Sequence, residues 1–364
     1  MTAAPVGVGL VGCGNISGTY LRVLTRFPGL KVVACADVLE ARARERAAAH
    51  PGLRPLGVEA LLGDPGIEVV LNLTPPARHA ALSLAALEAG KSVHTEKPLA
   101  TTRQDGRRIL DLAARKGLRV GAAPDTFLGA GIQTARALLD QGAIGTPVAA
   151  SAFMTCRGHE RWHPDPAFFY EHGAGPLFDM GPYYLTALVC LLGPVARVSA
   201  SARISFPERL VASLPRKGER IAVKTPTHVS GTLEFECGAL ATLVMSFDVW
   251  AADLPRLEVY GSEGTLSLPD PNGFGGELRL RTGEEAAWRP MPLTFPHAEE
   301  SRGLGLAEMA EAMREGRPHR ADGALAFHVL DIMESLLASA RDGRRLELES
   351  RCVRPRPMGY SSSA

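Results

Sequence analysis

The sequence has almost no net charge: 40 Lys and Arg stand against 39 Asp and Glu, a formal +1 at pH 7 in 364 residues. Nucleic acid or anionic lipid calls for a basic excess, so neither is indicated as a partner. Clustered cysteine is missing too. Six cysteines lie at 13, 35, 156, 190, 237 and 352 without C-x-x-C spacing, a pattern that suits buried reduced thiols better than a disulfide framework or a zinc cage. No apolar run reaches the ~18 residues of a membrane span. The opening MTAAPVGVGLVGCG has no basic region before its apolar run, and no segment repeats. These absences point to a cytoplasmic protein without leader or membrane anchor, acting on small molecules. The remaining composition is ordinary, 46% apolar and 22% charged. At roughly 150 residues per domain, the length suggests two domains.

The first third alternates apolar runs at 6–12, 31–37, 67–74, 91–96 and 118–123 with helical patterns such as 77–89 and 103–116. Strands alternating with helices make βαβ units on a parallel sheet. From about residue 147 the runs lengthen and alternate, as in HVSGTLEFECGALATLVMSFDVW, and Gly238 and the Gly261–Gly264 turn stand where hairpins would bend. The expected fold class is α/β followed by α+β. A parallel-sheet domain occupies 1–125, and a second domain over 126–364 carries one large, open, mainly antiparallel sheet with covering helices. Late amphipathic helices at 306–315 and 322–341 should cover a sheet face or the domain seam, and the tail PRPMGYSSSA should fray.

GLVGCGNISG, residues 9–18, follows the first strand and opens a helix, with Gly12 and Gly14 in G-x-G positions and Ser17 in place of a third glycine. A pyrophosphate requires such a tight turn, close backbone approach and free N–H groups at a helix N-terminus, here begun by Asn15 and Ile16. Asp37 ends the second strand near the ~20-residue spacing at which an acid binds the adenosine ribose hydroxyls. A carboxylate there repels a 2′-phosphate, so NAD is the expected cofactor and NADP is disfavoured. A glycine turn alone is a common βα feature; the strand, helix and acid around this one carry the reading.

GHERWHPDP, residues 158–166, contains His159-Glu160-x-x-His163, the zinc-protease signature. That signature works on a helix, where histidines at i and i+4 share a face. Gly158 opens the stretch and Pro164 pushes His163 out of the helical region. A loop with no catalytic metal is expected.

The glycine loop, HTEKPLA (94–100) and GAGPLFDMGPYYLTAL (173–188) together resemble the Gfo/Idh/MocA oxidoreductases, the family of glucose–fructose oxidoreductase and inositol dehydrogenase. The resemblance spans nearly the whole chain. It implies a Rossmann domain, then a domain whose open sheet makes homodimer or homotetramer contacts. It also implies hydride transfer between a nicotinamide and a sugar, cyclitol or polyol carbon. The implied cofactor contacts are Gly12, Gly14, Asn15, Ile16, Asp37, Thr74, Pro75, His79, Glu96 and Lys97, and the implied catalytic residues are Lys97, Asp179 and Tyr183. Two departures bear on the substrate. Tyr183 stands where Asp-x-x-x-His is usual, as in dimeric dihydrodiol dehydrogenases, and Thr74-Pro75-Pro76 replaces a frequent Thr-Pro-Asn.

Oxidising a secondary alcohol removes a hydride from carbon and a proton from oxygen, so the site needs a proton acceptor and a cation for the developing alkoxide. Lys97 lies just past the C-terminal end of a parallel strand, where ligands of open α/β sheets bind, and can supply the charge. Gly181-Pro182 reads as a helix start that sets Asp179 one turn before Tyr183. A tyrosine of ordinary pKa ~10 is a poor base at neutral pH, and a neighbouring ammonium would favour its phenolate. Tyr184 points roughly 100° away around the helix and should pack. In the implied fold the 157–170 loop comes over the nicotinamide, so Arg157, His159, Trp162 and His163 join Lys97, Asp179 and Tyr183 as substrate contacts. His328 is expected to be structural. Two other readings stay open: a glycosidase that oxidises its sugar transiently and recycles NAD, and a catalytically silent NAD-binding regulator, against which the retention of Lys97 and Asp179 speaks.

Overall fold

A computed structural model describes residues 4–359, so the expectations for the first residues and the end of the tail fall outside the described residues. The chain runs β1 (Val6–Val11), α1 (Asn15–Leu24), β2 (Leu30–Ala36), α2 (Glu40–Ala49), β3 (Arg54–Pro55), α3 (Val58–Gly63), β4 (Val69–Asn72), α4 (Pro76–Glu88), β5 (Ser92–Thr95), α5 (Arg103–Lys116) and β6 (Val120–Ala122). Every pairing among these six strands is parallel, in the order β3-β2-β1-β4-β5-β6. Strand order reverses between β1 and β4, which opens a crevice at their C-terminal ends. β1, β4 and β5 are buried along their whole length. Strands covered on both faces read as unbroken apolar runs, which is what the sequence carries. Two-residue β3 leaves no such run and was not foreseen.

The second region continues with α6 (Ala130–Asp140), β7 (Pro147–Thr155), α7 (Gly175–Asp179), α8 (Gly181–Leu192), β8 (Val195–Arg203), β9 (Glu208–Leu210), β10 (Arg220–Ala222), β11 (His228–Phe235), β12 (Leu240–Ser246), β13 (Leu257–Gly261), β14 (Gly264–Leu268), β15 (Leu278–Thr282) and β16 (Arg289–Met291). Then come α9 (Leu304–Glu315), α10 (Gly323–Asp342) and β17 (Leu346–Glu347). Nine strands form one sheet in the order β16-β15-β14-β13-β7-β12-β11-β8-β17. Its pairings are antiparallel except β7 with β12, as the alternating runs predict. Gly238 bends the β11–β12 hairpin at φ 90°, a conformation that only glycine adopts without cost. Every residue of α8 is buried. A helix apolar all round belongs in a core.

Two compact units result: residues 1–128 with 300–330, and residues 129–299 with 331–364. The division differs from the expected 125/126 boundary because α9 and the start of α10 return to the first unit. There Leu306, Met309 and Ala310 bury against Val8, Leu10, Tyr20 and Leu71. Arg314 fastens the same helix to Glu68 through two hydrogen bonds of 2.6 and 2.7 Å. Periodicity shows that such a helix has an apolar face but does not say which surface covers it. α10 is long and apolar enough to cross a membrane by length and composition, and 67% of that stretch is buried inside the protein, as in a core helix.

Candidate functional site

In the first unit, Gly12 sits at φ 103°, and a Cβ there would lie 2.6 Å from both carbon and oxygen of the Leu73 carbonyl. Any side chain would part the end of β1 from the end of β4. A Cβ at Gly14 would meet nothing within 4 Å, and α1 starts without a side-chain cap. The first amides of that helix therefore remain available to an anion. Ser17 is fully buried and donates through Oγ to the Gly14 carbonyl at 2.6 Å, so a small residue does serve there. Asp37 Oδ2 accepts from the Cys13 amide and Oδ1 from the Leu39 amide, both at 2.8 Å, which fixes the acid beside the turn. A cavity of about 550 Å³ opens here, lined by Gly12, Asp37, Arg42, Thr74, Pro75 and Arg78 among others. Open space at Gly14, uncapped amides and an oriented carboxylate together fit a dinucleotide.

At the neighbouring strand ends, Thr74 donates through Oγ1 to Asn72 Oδ1 at 2.6 Å. Buried His79 places Nδ1 2.7 Å from the Pro98 carbonyl and Nε2 2.7 Å from the Thr74 carbonyl. Burial holds this imidazole below the usual histidine range. With both nitrogens on backbone and only 1% exposure, His79 ties the Thr74 turn to the Lys97-Pro98 turn. Glu96 Oε1 accepts from the Tyr20 hydroxyl at 2.6 Å and Oε2 from the Lys97 amide at 3.1 Å. Its carboxylate thus clamps α1 to the turn after β5. Lys97 is half-buried at that turn, past the C-terminal end of β5, as the sequence indicates. Tyr20 and Asn72 escaped the sequence reading because nothing local marks a residue whose partner is distant.

In the second unit Asp179 ends α7 and Tyr183 stands in the first turn of α8, 8% exposed, so the two share a short bend instead of one helix. His159 Nε2 lies 2.8 Å from Asp179 Oδ2. Its ring packs edge-on to Phe169 and Trp162, with centroids at 4.3 and 5.1 Å, and tilted against Phe247 at 4.6 Å. An Asp–His pair was not foreseen. The His-Glu-x-x-His stretch forms one 3₁₀ turn over His159–Arg161 behind Gly158, whose φ is 93°. Glu160, which the sequence reading passed over outside the zinc signature, is the anchor of this loop. Its buried carboxylate accepts from the Tyr170 hydroxyl and from Arg209, which also binds Asp248. Asp248 in turn accepts from Thr227 Oγ1 at 2.8 Å. Burial and the Glu160 carboxylate push the Tyr170 phenol well above its ordinary range.

The backbone of the same loop is tied as well: the Ala212 amide donates to the Glu160 carbonyl at 2.8 Å and Ser213 Oγ to the His163 carbonyl at 2.5 Å. His163 Nδ1 accepts from the Asp165 amide at 3.1 Å, and burial lowers its affinity for a proton. Trp162 is 64% exposed. The Arg157 guanidinium carbon lies 4.9 Å from the Phe206 ring and 4.8 Å from the Trp250 ring. Tyr184 and His328 are fully buried, consistent with packing.

Comparison with known proteins agrees with this architecture. Residues 6–123 match the family model described as the oxidoreductase family with an NAD-binding Rossmann fold, and residues 132–267 match that of the GFO/IDH/MocA C-terminal domain. The chain is 38% identical to inositol 2-dehydrogenase 1 of Saccharopolyspora erythraea, over 94% of this chain and 96% of that one. It is 25% identical to scyllo-inositol 2-dehydrogenase (NAD(+)) of Bacillus subtilis, over 93% and 95%. Levoglucosan dehydrogenase, solved in complex with NADH and levoglucosan, superposes with a TM-score of 0.81 at 21% identity, covering 95% of this chain and 100% of that one, a likeness of fold.

Proposed function

Because the chain belongs to the Gfo/Idh/MocA family of NAD-binding oxidoreductases, we propose that it is an NAD-dependent dehydrogenase that oxidises a secondary alcohol of a sugar, cyclitol or related polyol. The observation that carries this reading is the dinucleotide cradle of the first unit, with its open approach at Gly14 and its fixed Asp37 carboxylate. Gly12, Gly14 and the first amides of α1 hold the pyrophosphate, Asp37 the adenosine ribose, and Thr74 and Pro75 line the cavity. Bound NAD supplies the hydride acceptor.

The protein supplies the rest. Lys97 stabilises the developing alkoxide, and Tyr183 takes the hydroxyl proton. Asp179 and the 157–170 loop orient the substrate. Relatives named for inositol oxidation support a cyclitol or sugar substrate. A second proton route is favoured by one observation, the 2.8 Å His159–Asp179 contact: His159, oriented by Asp179, takes the proton in place of Tyr183. The proposal also includes a cytoplasmic location and a homodimer or homotetramer formed through the large sheet, supported by exposed Val148 and Leu240 on its central strands.

Incubating the purified protein and NAD with myo-inositol, scyllo-inositol, levoglucosan and D-apiose, while following reduced nicotinamide by absorbance, tests the reading. NADH formation with one or more of them is expected. NAD binding without turnover of any would leave the regulator reading, and cleavage of a glycoside with no net NADH would favour the glycosidase. Light scattering at micromolar protein should give twice or four times the chain mass.

A further inference from the structure

Among the described residues of the second unit, Arg157 carries a charge with buried, unmatched donors. Its Nε and Nη1 are buried and make no hydrogen bond to any described residue. Its guanidinium lies against two aromatic rings, Phe206 at 4.9 Å and Trp250 at 4.8 Å. A permanently charged group with buried, unmatched donors is costly to fold, and leaving such groups unpaired costs more than a hydrogen bond to them returns. Nearby carboxylates do not offset it: Glu160 and Asp248 both bind Arg209, which itself lies 5.2 Å from the Phe206 ring. Arg161 adds a further cation 4.8 Å from the Trp250 ring. Three guanidinium groups thus surround two aromatic rings, and the carboxylates serve only one of them. Cation–π contacts hold the planar forks in place but do not accept their hydrogen bonds.

We infer that this cluster is an anion subsite and that the substrate is a sugar or polyol bearing a carboxylate or phosphate group. The anionic oxygens accept from exposed Arg161 and from Arg157 Nη2, the nitrogen of that fork that is not buried, because charged guanidinium donors suit the oxygens of either group. Trp250, 69% exposed, and Phe206, 43% exposed, offer apolar faces to the C–H side of the same molecule. Arg157 stands two residues before His159, whose ring is on Asp179, so the anion is held on the loop that serves the proposed chemistry. The inference deepens the dehydrogenase reading and rests on it for the sugar or polyol part of the ligand.

Calorimetric titration of the NAD-saturated protein with D-glucuronate, D-glucose 6-phosphate and D-glucose tests it without requiring turnover. One of the two anions should bind at least ~10-fold more tightly than glucose, and the stronger of them identifies carboxylate or phosphate as the group recognised. Arg157→Met should bring that anion down to the level of glucose, with Arg157→Lys intermediate and NAD affinity unchanged, since Arg157 is not among the proposed cofactor contacts. If Arg157→Met does not fold, Arg161→Met at the exposed position should still lower the preference several-fold. Equal binding of glucose and the anions, binding of none of the three, or a preference that survives Arg157→Met or Arg161→Met would overturn the inference. Failure of the dehydrogenase reading shows separately, as absence of NADH with every substrate, neutral or anionic.

Discussion

The two units hold their candidate site residues by different means. In the first, side chains are held by backbone: Asp37 by two amides, His79 by two carbonyls, and Glu96 in part by the Lys97 amide. In the second, side chains hold side chains: His159 on Asp179, and Glu160, Tyr170, Arg209, Asp248 and Thr227 in one chain of contacts. A backbone-built site follows from strand ends and turn geometry and tolerates changes in its neighbours. A site built from side chains depends on each member, since removing one strands a buried charge or donor. Substitutions in the second unit should therefore cost more.

The largest effect is expected at Tyr183. Tyr183→Phe keeps the ring and removes the proton site, so kcat should fall ~10²–10⁴-fold with KM changed far less. Retention of wild-type turnover by Tyr183→Phe, together with its loss in His159→Gln, would transfer the role to the His159–Asp179 pair. Next comes Glu160→Leu, which leaves Arg209, with a side chain 3% exposed, with Asp248 as its remaining carboxylate partner. Breaking a buried pair by removing one member costs ~3–5 kcal/mol, to be read as a lower denaturant midpoint of the second unit. Unchanged stability would show that the network does not pin the loop.

A third effect belongs to the first unit and depends on pH. His94 is fully buried, both its ring nitrogens lack a hydrogen-bond partner among the described residues, and burial holds its pKa at about 3. An unfolded histidine titrates near ~6.5, so the unfolded chain takes up the proton first on acidification. The stability that neutral His94 provides is complete above ~6.5 and is lost as pH falls toward 3, a few kcal/mol over the window. Asp125, pushed up to about 6 by burial, runs the other way: its contribution is present below the ordinary carboxylate range and lost as pH rises through 6. His94→Leu separates the two. The variant should resist acid better than wild type in a pH-dependent urea titration, and an identical acid profile would show that His94 is not the group responsible. The smallest effect is at Asp37, where Ser removes the ribose contacts and the repulsion of a 2′-phosphate. The NAD-over-NADP preference should narrow by ~1–3 kcal/mol in calorimetry, and tighter NADP binding by the unaltered protein would contradict the assignment.

The same contrast explains what could be read from the amino-acid order. Continuous apolar runs, Gly12, Gly14, Asp37 and Lys97 mark their places in the fold within a few residues of themselves, because each answers to a local strand end or turn. Gly158 and Pro164 likewise announce that the His-Glu-x-x-His stretch is no long helix. Glu160 meeting Arg209, His159 meeting Asp179, and α9 returning to the first unit are pairings across 49, 20 and more than 200 residues, and no local pattern encodes a distant partner. His79 is likewise tied to carbonyls that no local pattern marks.

The proposed reaction is hydride transfer from a substrate carbon to NAD. Incubating the protein with NAD and myo-inositol, or the best substrate of the panel, deuterated at its carbinol carbons, and weighing the reduced cofactor by mass spectrometry tests that directly. The prediction is NADH carrying one deuteron from the substrate, formed in step with the ketone. Reduced cofactor without the label, or ketone and NADH absent while the substrate is consumed, would contradict it.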